Sequence, residues 1–261
     1  MKPGPHFRNV ATSWRARGTF RDFLRRLVWN YSPMLPAKLT RSEYCIRFRY
    51  PEPVGSIRLL VRNNLGADNF IHSEVFEHQY YRFPLRGVKT ILDLGANAGF
   101  TAVYFGRHYP DAMIACVEPM PENIRVLETN LQLNGISATI FRAAVDTRDA
   151  TVLMEVAPRD FGHKVATAEN TSSRVLRVAS LSVPTIMHEL GWDRIDLLKI
   201  DIEGHERHLM QHAEWLHLVE TVCVEWHSES AELELSSLAS RFGYNPPVCQ
   251  FGLWLMSRGS A

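Results

Sequence analysis

Thr90-Ile91-Leu92-Asp93-Leu94-Gly95-Ala96-Asn97-Ala98-Gly99-Phe100-Thr101 is the stretch that decides the fold. An apolar run closes on one acid, breaks at a glycine, and opens into a helical pattern at a second glycine. A strand that is apolar along its whole length belongs in a sheet covered on both faces. Gly95 allows a sharp turn, and Gly99 lets a helix start lie close to a ligand.

Outward from this turn the pattern is βαβ. Strand 88–94 leads to helix 99–108, and strand 112–117 leads to helix 121–134. Pro121 suits a helix start, and Asn134-Gly135 a helix stop. A strand follows at 138–142. Helix 183–190, strand Ile195–Ile200, helix 205–213, strand Val219–Glu225, helix 229–241 and a final strand Val248–Met256 complete the pattern. Residues 156–175 are polar and lack periodicity. Strands alternating with helices predict an α/β fold with a parallel sheet and helices on both faces.

Before the turn, Tyr44–Arg49 and Ile57–Val61 read as two strands around Pro51-Glu52-Pro53-Val54-Gly55. Residues 70–82 carry Phe70, Ile71, Val75, Phe76 and Tyr80 at helical spacing. Residues 19–30 read as a helix capped by Thr19, with Asp22 as the capping-box partner. Phe20, Phe23, Leu24, Leu27 and Val28 fall on one face, and Arg21, Arg25 and Arg26 mostly off it. Three parts are therefore expected: a basic extension (1–41), a β-hairpin and helix (42–87), and the α/β domain (88–261).

Charge is divided the same way. Residues 1–41 hold nine basic residues against Asp22 alone, a net +8, so in a chain of net +1 the body carries −7. The chain has no global field that would favour nucleic acid. The arm suits either contact with an anionic membrane through 19–30 or packing on its own domain or a second subunit. RNA binding lacks a recognised module, so no nucleic-acid partner is expected. The four cysteines, Cys45, Cys116, Cys223 and Cys249, form no CxxC pair and suit a reduced compartment. No run is long and apolar enough to span a bilayer, and no secretory h-region is evident. These features predict a cytoplasmic protein, with membrane-peripheral contact as the variant reading.

The carboxyl ends of parallel strands are where such folds bind ligands. Strand 112–117 ends at Val117-Glu118-Pro119. An acid there accepts from both hydroxyls of a ribose. The glycines follow GxxxG rather than GxGxxG, and Asp93 would repel a diphosphate. A cationic sulfonium carrying an ammonium group suits Asp93 instead. The residues therefore point to S-adenosyl-L-methionine.

These residues closely resemble the FkbM family of S-adenosylmethionine-dependent methyltransferases, from about Asp68 to Phe251. The resemblance rests on Asp93–Thr101, Val117-Glu118-Pro119, Asn130-Leu131 through Asn134-Gly135, and the run Ile195-Asp196-Leu197-Leu198-Lys199-Ile200-Asp201-Ile202-Glu203-Gly204-His205-Glu206. That run usually carries Val at 202 and Ala at 205; here they are Ile202 and His205. Ser73-Glu74-Val75-Phe76 through Tyr80 looks like the family segment that closes over the cofactor. The resemblance implies a class I methyltransferase Rossmann-like fold with a mostly parallel seven-stranded sheet. It implies methyl transfer to oxygen, on a polyketide, sugar or glycolipid hydroxyl. Its cofactor contacts would be Glu74, Asp93, Gly95, Ala96, Asn97, Gly99, Phe100, Thr101, Glu118, Pro119, Ala144 and Asp201.

A hydroxyl needs its proton removed as the new bond forms. The candidate bases are His227, Asp201 and His205, in that order. Lys199 would pair with Asp201 or orient the acceptor. Asp201, Glu225 and His227 are admissible ligands for a divalent cation, although no metal is expected. Glu206 suits a helix start through the dipole, and His208 with His212 reads as a solvated helix face. Arg159, Asp160, Phe161, His163 and Lys164 lie in a loop that could cover the acceptor. The competing readings are an N- or macromolecular methyltransferase, against which the absence of Asn/Asp-Pro-Pro-Tyr after strand 195–200 speaks, and a cofactor-binding scaffold without catalysis. Homo-oligomerisation is left open.

Overall fold

A computed structural model describes residues 13, 14, 16, 18–155, 164–165 and 175–258. Thr19 caps α1 (Phe20–Tyr31) with the expected capping box to Asp22. The face of α1 that packs differs from the expected one. Asp22, Arg26 and Trp29, at i, i+4 and i+7, are buried, whereas Phe20 and Leu24 are exposed. Arg26 is the correction. Its guanidinium forms an ion pair with Glu77 and lies 5.2 Å from the centre of the Phe48 ring. A long side chain with an apolar stem can fill a core position once its charge is matched.

β1 (Glu43–Arg49) and β2 (Ser56–Arg62) form the expected antiparallel hairpin. α2 (Ala67–His72) then passes into one π turn, Ser73–Glu77. The expected helix over 70–82 stops there, and Gln79 adopts a left-handed φ of 53°. The widened turn re-aims two neighbouring acids: Glu77 meets Arg26, and Glu74 faces the cavity described below.

The quoted run forms β3 (Thr90–Leu94), with all five residues buried. It is followed by α3 (Phe100–His108), β4 (Met113–Val117), α4 (Pro121–Asn134) and β5 (Ala138–Phe141). The second half contributes β6 (Ala144–Val145), β7 (Ala150–Glu155), β8 (Lys164–Val165), β9 (Val175–Leu181), α5 (Val183–Leu190), β10 (Ile195–Ile200), α6 (Glu206–Gln211), β11 (Val219–Glu225) and α7 (Ala231–Phe242). β12 (Val248–Gln250) and β13 (Leu253–Ser257) end it. The expected single strand Val248–Met256 is thus a hairpin, turned at Phe251 and Gly252, both at positive φ.

The main sheet has seven strands in the order β12-β13-β11-β10-β3-β4-β5. The five from β11 to β5 are parallel, and β13 and β12 add antiparallel at one edge. The chain leaves β3 toward β4 and β5, then returns to β10 on the other side of β3. The order reverses between β3 and β10, which opens a crevice at their carboxyl ends.

Alternate residues of the strands feed two cores. Ile91, Ile114, Cys116 and Leu197 face α3, α4 and the β1–β2 hairpin. Leu92, Leu94, Val117, Leu198 and Ile200 face residues of α5, α6 and α7. β6, β9, β7 and β8 form a separate four-stranded sheet that sequence periodicity does not announce. Only Ala144, Met154 and Val178 of it make a small buried cluster, so its strands carry a weak apolar signal.

α4 holds the hairpin through two asparagines one turn apart. Asn130 accepts from Leu60 N and donates to Leu60 O and Ala98 O. Asn134 accepts from Arg58 N and donates to Arg58 O. Their amides act as added peptide groups along β2, so the hairpin is anchored to the helix that follows β4.

Candidate active site

A cavity of about 270 Å³ lies at the carboxyl ends of β3, β4 and β10. Of the predicted cofactor contacts, Glu74, Gly95, Ala96, Asn97, Phe100, Thr101, Glu118, Pro119, Ala144 and Asp201 line it. Lys199, His205, Glu225 and His227 line it as well. Asp93 and Gly99 do not.

Those two exceptions have physical reasons. Asp93 is fully buried; Thr101 Oγ1 donates to its Oδ2 at 2.5 Å, and Lys199 Nζ lies 3.1 Å from its Oδ1. It holds the turn from behind instead of facing a cationic ligand. Gly99, at φ 78°, is needed for packing between helices: a Cβ there would lie 2.4 Å from Leu127 Cδ1 of α4. Gly95 is needed for the approach of β10, since a Cβ there would lie 1.9 Å from Asp201 O.

Glu118 is 4% exposed at the cavity wall. Its Oε1 accepts from Met120 N (2.9 Å) and Asn123 Nδ2 (3.1 Å), and its Oε2 from Asn97 N (2.9 Å). Burial raises the Glu118 carboxyl, and these hydrogen bonds oppose that rise. Oε2 keeps a lone pair for a further donor.

A second layer fixes this wall. Arg62 Nη1 donates to Asn123 Oδ1 (2.7 Å), and Arg62 Nη2 donates to Asn97 Oδ1 (3.1 Å). Arg62 pairs with fully buried Asp68, with Nη2 and Oδ1 2.8 Å apart. Sequence reasoning missed Arg62, Asp68 and Asn123 as positioning residues. The available signal was a charged pair six residues apart in an otherwise uncharged hairpin-to-helix junction.

Lys199 crosses beneath the turn. Its Nζ donates to Gly95 O at 2.8 Å and lies 3.7 Å from Asp201 Oδ2. Burial alone would lower its proton affinity, but Asp93 and Asp201 outweigh burial and raise it. It pairs with Asp201 as expected, and with Asp93 more closely.

The opposite wall is acidic and sparsely bonded. Partial burial, then Glu225 and Asp201, push Glu74 up to about 7. Partial burial and Asp201 push Glu225 up to about 7, against the pull of His227 and Lys199. His227 Nδ1 lies 3.4 Å from Glu206 Oε2, and its Nε2 lies 3.6 Å from Glu225 Oε1. The hydrogen bond that His227 donates to Glu206 outweighs burial, and Glu206, Glu225 and Asp201 together raise His227 to about 9. That shift favours the imidazolium form of His227.

Glu206 does more than favour a helix start. It is 1% exposed and accepts from Ile202 N (2.9 Å) and Gly204 N (3.1 Å). It braces the turn after β10, where Glu203 and Gly204 have positive φ. Burial would raise its carboxyl, but the bonds from His227 and Gly204 N hold it below the usual range.

Asp201, Glu225 and His227 do not converge as metal ligands. Among the described residues, the group whose ligand atoms all lie within 4.8 Å of one another is Asp146, His205 and His208. Arg159, Asp160, Phe161 and His163 lie outside the described residues; Lys164 begins β8. The four cysteines are free, with Cys116 and Cys223 buried. Among the described residues, no helix is long and apolar enough to cross a membrane.

Residues 93–244, more than half of the chain, match the Methyltransferase FkbM domain. The chain belongs to the FkbM methyltransferase family. Methyltransferase sdnD of Sordaria araneosa is 28% identical over 211 residues, covering 67% of this chain and 82% of that protein. Methyltransferase 1 of Beauveria bassiana (strain ARSEF 2860) is 27% identical, covering 60% and 72%. The 31-O-demethyl-FK506 methyltransferase FkbM of Streptomyces tacrolimicus is 22% identical, covering 69% and 83%. The crystal structure of methyltransferase FkbM from Methylobacillus flagellatus KT matches with a TM-score of 0.51 at 11% identity, over 97% of this chain and 58% of that one. That likeness shows the fold, a class I Rossmann-like α/β sandwich; the chain spans little more than half of the solved protein. As a family member the chain is a methyltransferase.

Proposed function

We propose that this methyltransferase uses S-adenosyl-L-methionine to methylate a hydroxyl of a sugar, glycolipid or polyketide-type small molecule. The observation that carries the proposal is the division of one cavity into two unlike walls. One is a braced carboxylate, Glu118, with apolar neighbours Phe100 and Val117. The other holds Glu74 and Glu225, whose carboxyls lose their protons near neutral pH.

The residues present fit the cofactor. Glu118 Oε2 has capacity left for a ribose hydroxyl, and the backbone from Gly95 to Asn97 lines the same wall. Asp201, Glu74 and Glu225 give the cavity an anionic side that favours a sulfonium and its ammonium group. When bound, the cofactor supplies an electrophilic methyl group. The chain's own residues then orient the acceptor and handle its proton. Alignment of the acceptor oxygen is a large part of such a displacement.

Glu225 takes the proton from the acceptor hydroxyl, with Glu74 as its neighbour. A base is most effective when its pKa lies near the working pH. His227, as an imidazolium, orients Glu225 and keeps part of its charge matched. Asp201 and Lys199 form a fixed pair at the end of β10. The name of the Streptomyces relative, 31-O-demethyl-FK506 methyltransferase, supports oxygen as the accepting atom.

The test is incubation of the full chain with methyl-tritiated S-adenosylmethionine and separate sugar, glycolipid and polyketide alcohols. Label recovered as a methyl ether supports the proposal. Label found only on nitrogen, protein or RNA replaces it with the competing methyltransferase reading.

A further inference from the structure

Three side chains meet beside the cavity, one of which, His205, lines it. Asp146 follows β6 and is tied in place by Asp146 N donating to Leu181 O (3.0 Å). His205 is the N-cap residue of α6, and His208 lies one turn further on the same helix face. His205 Nε2 lies 3.2 Å from Asp146 Oδ1, and His208 Nε2 lies 3.5 Å from the same oxygen.

We propose that Asp146, His205 and His208 form a binding site for one divalent transition-metal ion. The spacing carries the argument. A charge-assisted bond between an imidazolium and a carboxylate closes to about 2.7–2.9 Å, and neither histidine reaches that range. Ligands about 2.0–2.2 Å from a common ion are held roughly 3–3.5 Å apart by tetrahedral or octahedral angles. The two distances to Oδ1 fall in that range; His205 Nε2 is also at ordinary hydrogen-bond distance from Oδ1, so it is the second imidazole, His208, turned to the same oxygen that a hydrogen bond leaves unexplained. All three ligand atoms lie within 4.8 Å of one another.

The surroundings agree. Thr147 N donates to Asp146 Oδ1 at 2.7 Å, which orients the carboxylate as outer-shell partners of metal ligands do. The His205 and Asp146 side chains are 19% and 14% exposed, and His208 is 49% exposed. The site is therefore open to an ion from solution and keeps coordination positions free. Two imidazoles with one carboxylate favour zinc, cobalt, nickel, iron or manganese over magnesium or calcium, which prefer all-oxygen sets. His205 also lines the cavity, so a bound ion would sit beside the acceptor side of it. The site stands on its own geometry and does not depend on which acceptor is methylated.

The probe is Co²⁺ alone, titrated into chelator-stripped full-length protein and followed by visible absorption, with Zn²⁺ as competitor. The expected result is one equivalent of bound Co²⁺ whose nitrogen–oxygen spectrum differs from that of aqueous Co²⁺ and is erased by Zn²⁺. His208→Ala and Asp146→Asn should each weaken binding at least ten-fold. His188→Ala, at an exposed position on α5, should leave it unchanged. A melting curve checks that each variant is folded, and His208→Asn replaces any that is not. No saturable uptake by the unaltered chain overturns the proposal. So does uptake that survives both substitutions, because the ion then lies elsewhere.

Discussion

The two walls of the cavity are built on opposite principles. Around Glu118 each polar group is held by another: Arg62 and Asp68 hold Asn97 and Asn123, and these hold the carboxylate. Around Glu225 three acids face one another, with His227 and Lys199 as counter-charges. A fully connected buried network gives a fixed shape, which suits binding of an invariant cofactor. A loosely bonded acidic wall leaves proton affinity adjustable, which suits chemistry. The difference between the walls predicts which substitutions change rate, which change binding and which change folding.

The largest effect is expected on the acidic wall. Glu225→Gln removes the proposed base while keeping its size. Turnover should fall about 10²–10⁴-fold, far more than cofactor affinity read by calorimetry. The rising limb of the rate profile near pH 7 should vanish, because activity requires the deprotonated form of a group raised to about 7. A His227→Gln variant should keep that limb. If His227→Gln abolishes the limb and Glu225→Gln does not, the roles are reversed.

The braced wall should respond in stability. Arg62→Ala leaves Asp68 as a fully buried, unmatched carboxylate, which costs about 3–5 kcal/mol. Urea denaturation should show it as a lowered midpoint, and the paired change Arg62→Met with Asp68→Leu should recover much of the loss. Stability unaffected by Arg62→Ala would mean that the two walls are equally soft.

Glu118→Ala separates binding from folding on that same wall. Hydrogen bonds from ribose to a charged acceptor are worth roughly 1.5–3 kcal/mol, or about 10- to 150-fold in the dissociation constant. Calorimetry with S-adenosylhomocysteine reads the change directly. Unaltered affinity would remove Glu118 from the cofactor site.

Legibility in the sequence follows the same division. β3 and β4 are apolar runs ended by acids and glycines, β10 is an apolar strand interrupted by Asp196 and Lys199, and such local signals mark both the sheet and the site. Arg62 contacts Asn97 and Asn123 only after the hairpin folds back on α4, and no local pattern encodes that. His227 looks like a base by residue type. Its neighbour Glu206, 21 positions earlier in the chain, raises its proton affinity, and only the packed structure shows them together. Gly99 was legible as a glycine requirement, but the reason lay in Leu127. The small sheet of β6 to β9 was hidden because it buries few side chains.

The smallest effect tests the contrast between the walls through pH alone. Glu74 and Glu225 ionise near 7 in the folded chain and near the ordinary 4.5 when unfolded. The unfolded state therefore releases these protons first as pH rises. Their contribution to stability is fully present below about 4.5 and is lost as pH climbs through about 7. The Glu225 side chain is 48% exposed, so solvent screens much of this, and the two together should account for about 1 kcal/mol or less. His227 runs the other way along the axis: raised to about 9, it stabilises fully below about 6.5 and loses that contribution only above it. Between pH 4.5 and 6.5 the lowered imidazoles His72 and His108 and the raised Glu118 titrate as well, so the two carboxylates are read from the difference between parent and variant. The double variant Glu74→Gln, Glu225→Gln should flatten that part of the profile. Equal slopes in variant and parent would show that the acidic wall is solvated like an ordinary surface, and the distinction between the walls would then rest on Glu118 alone.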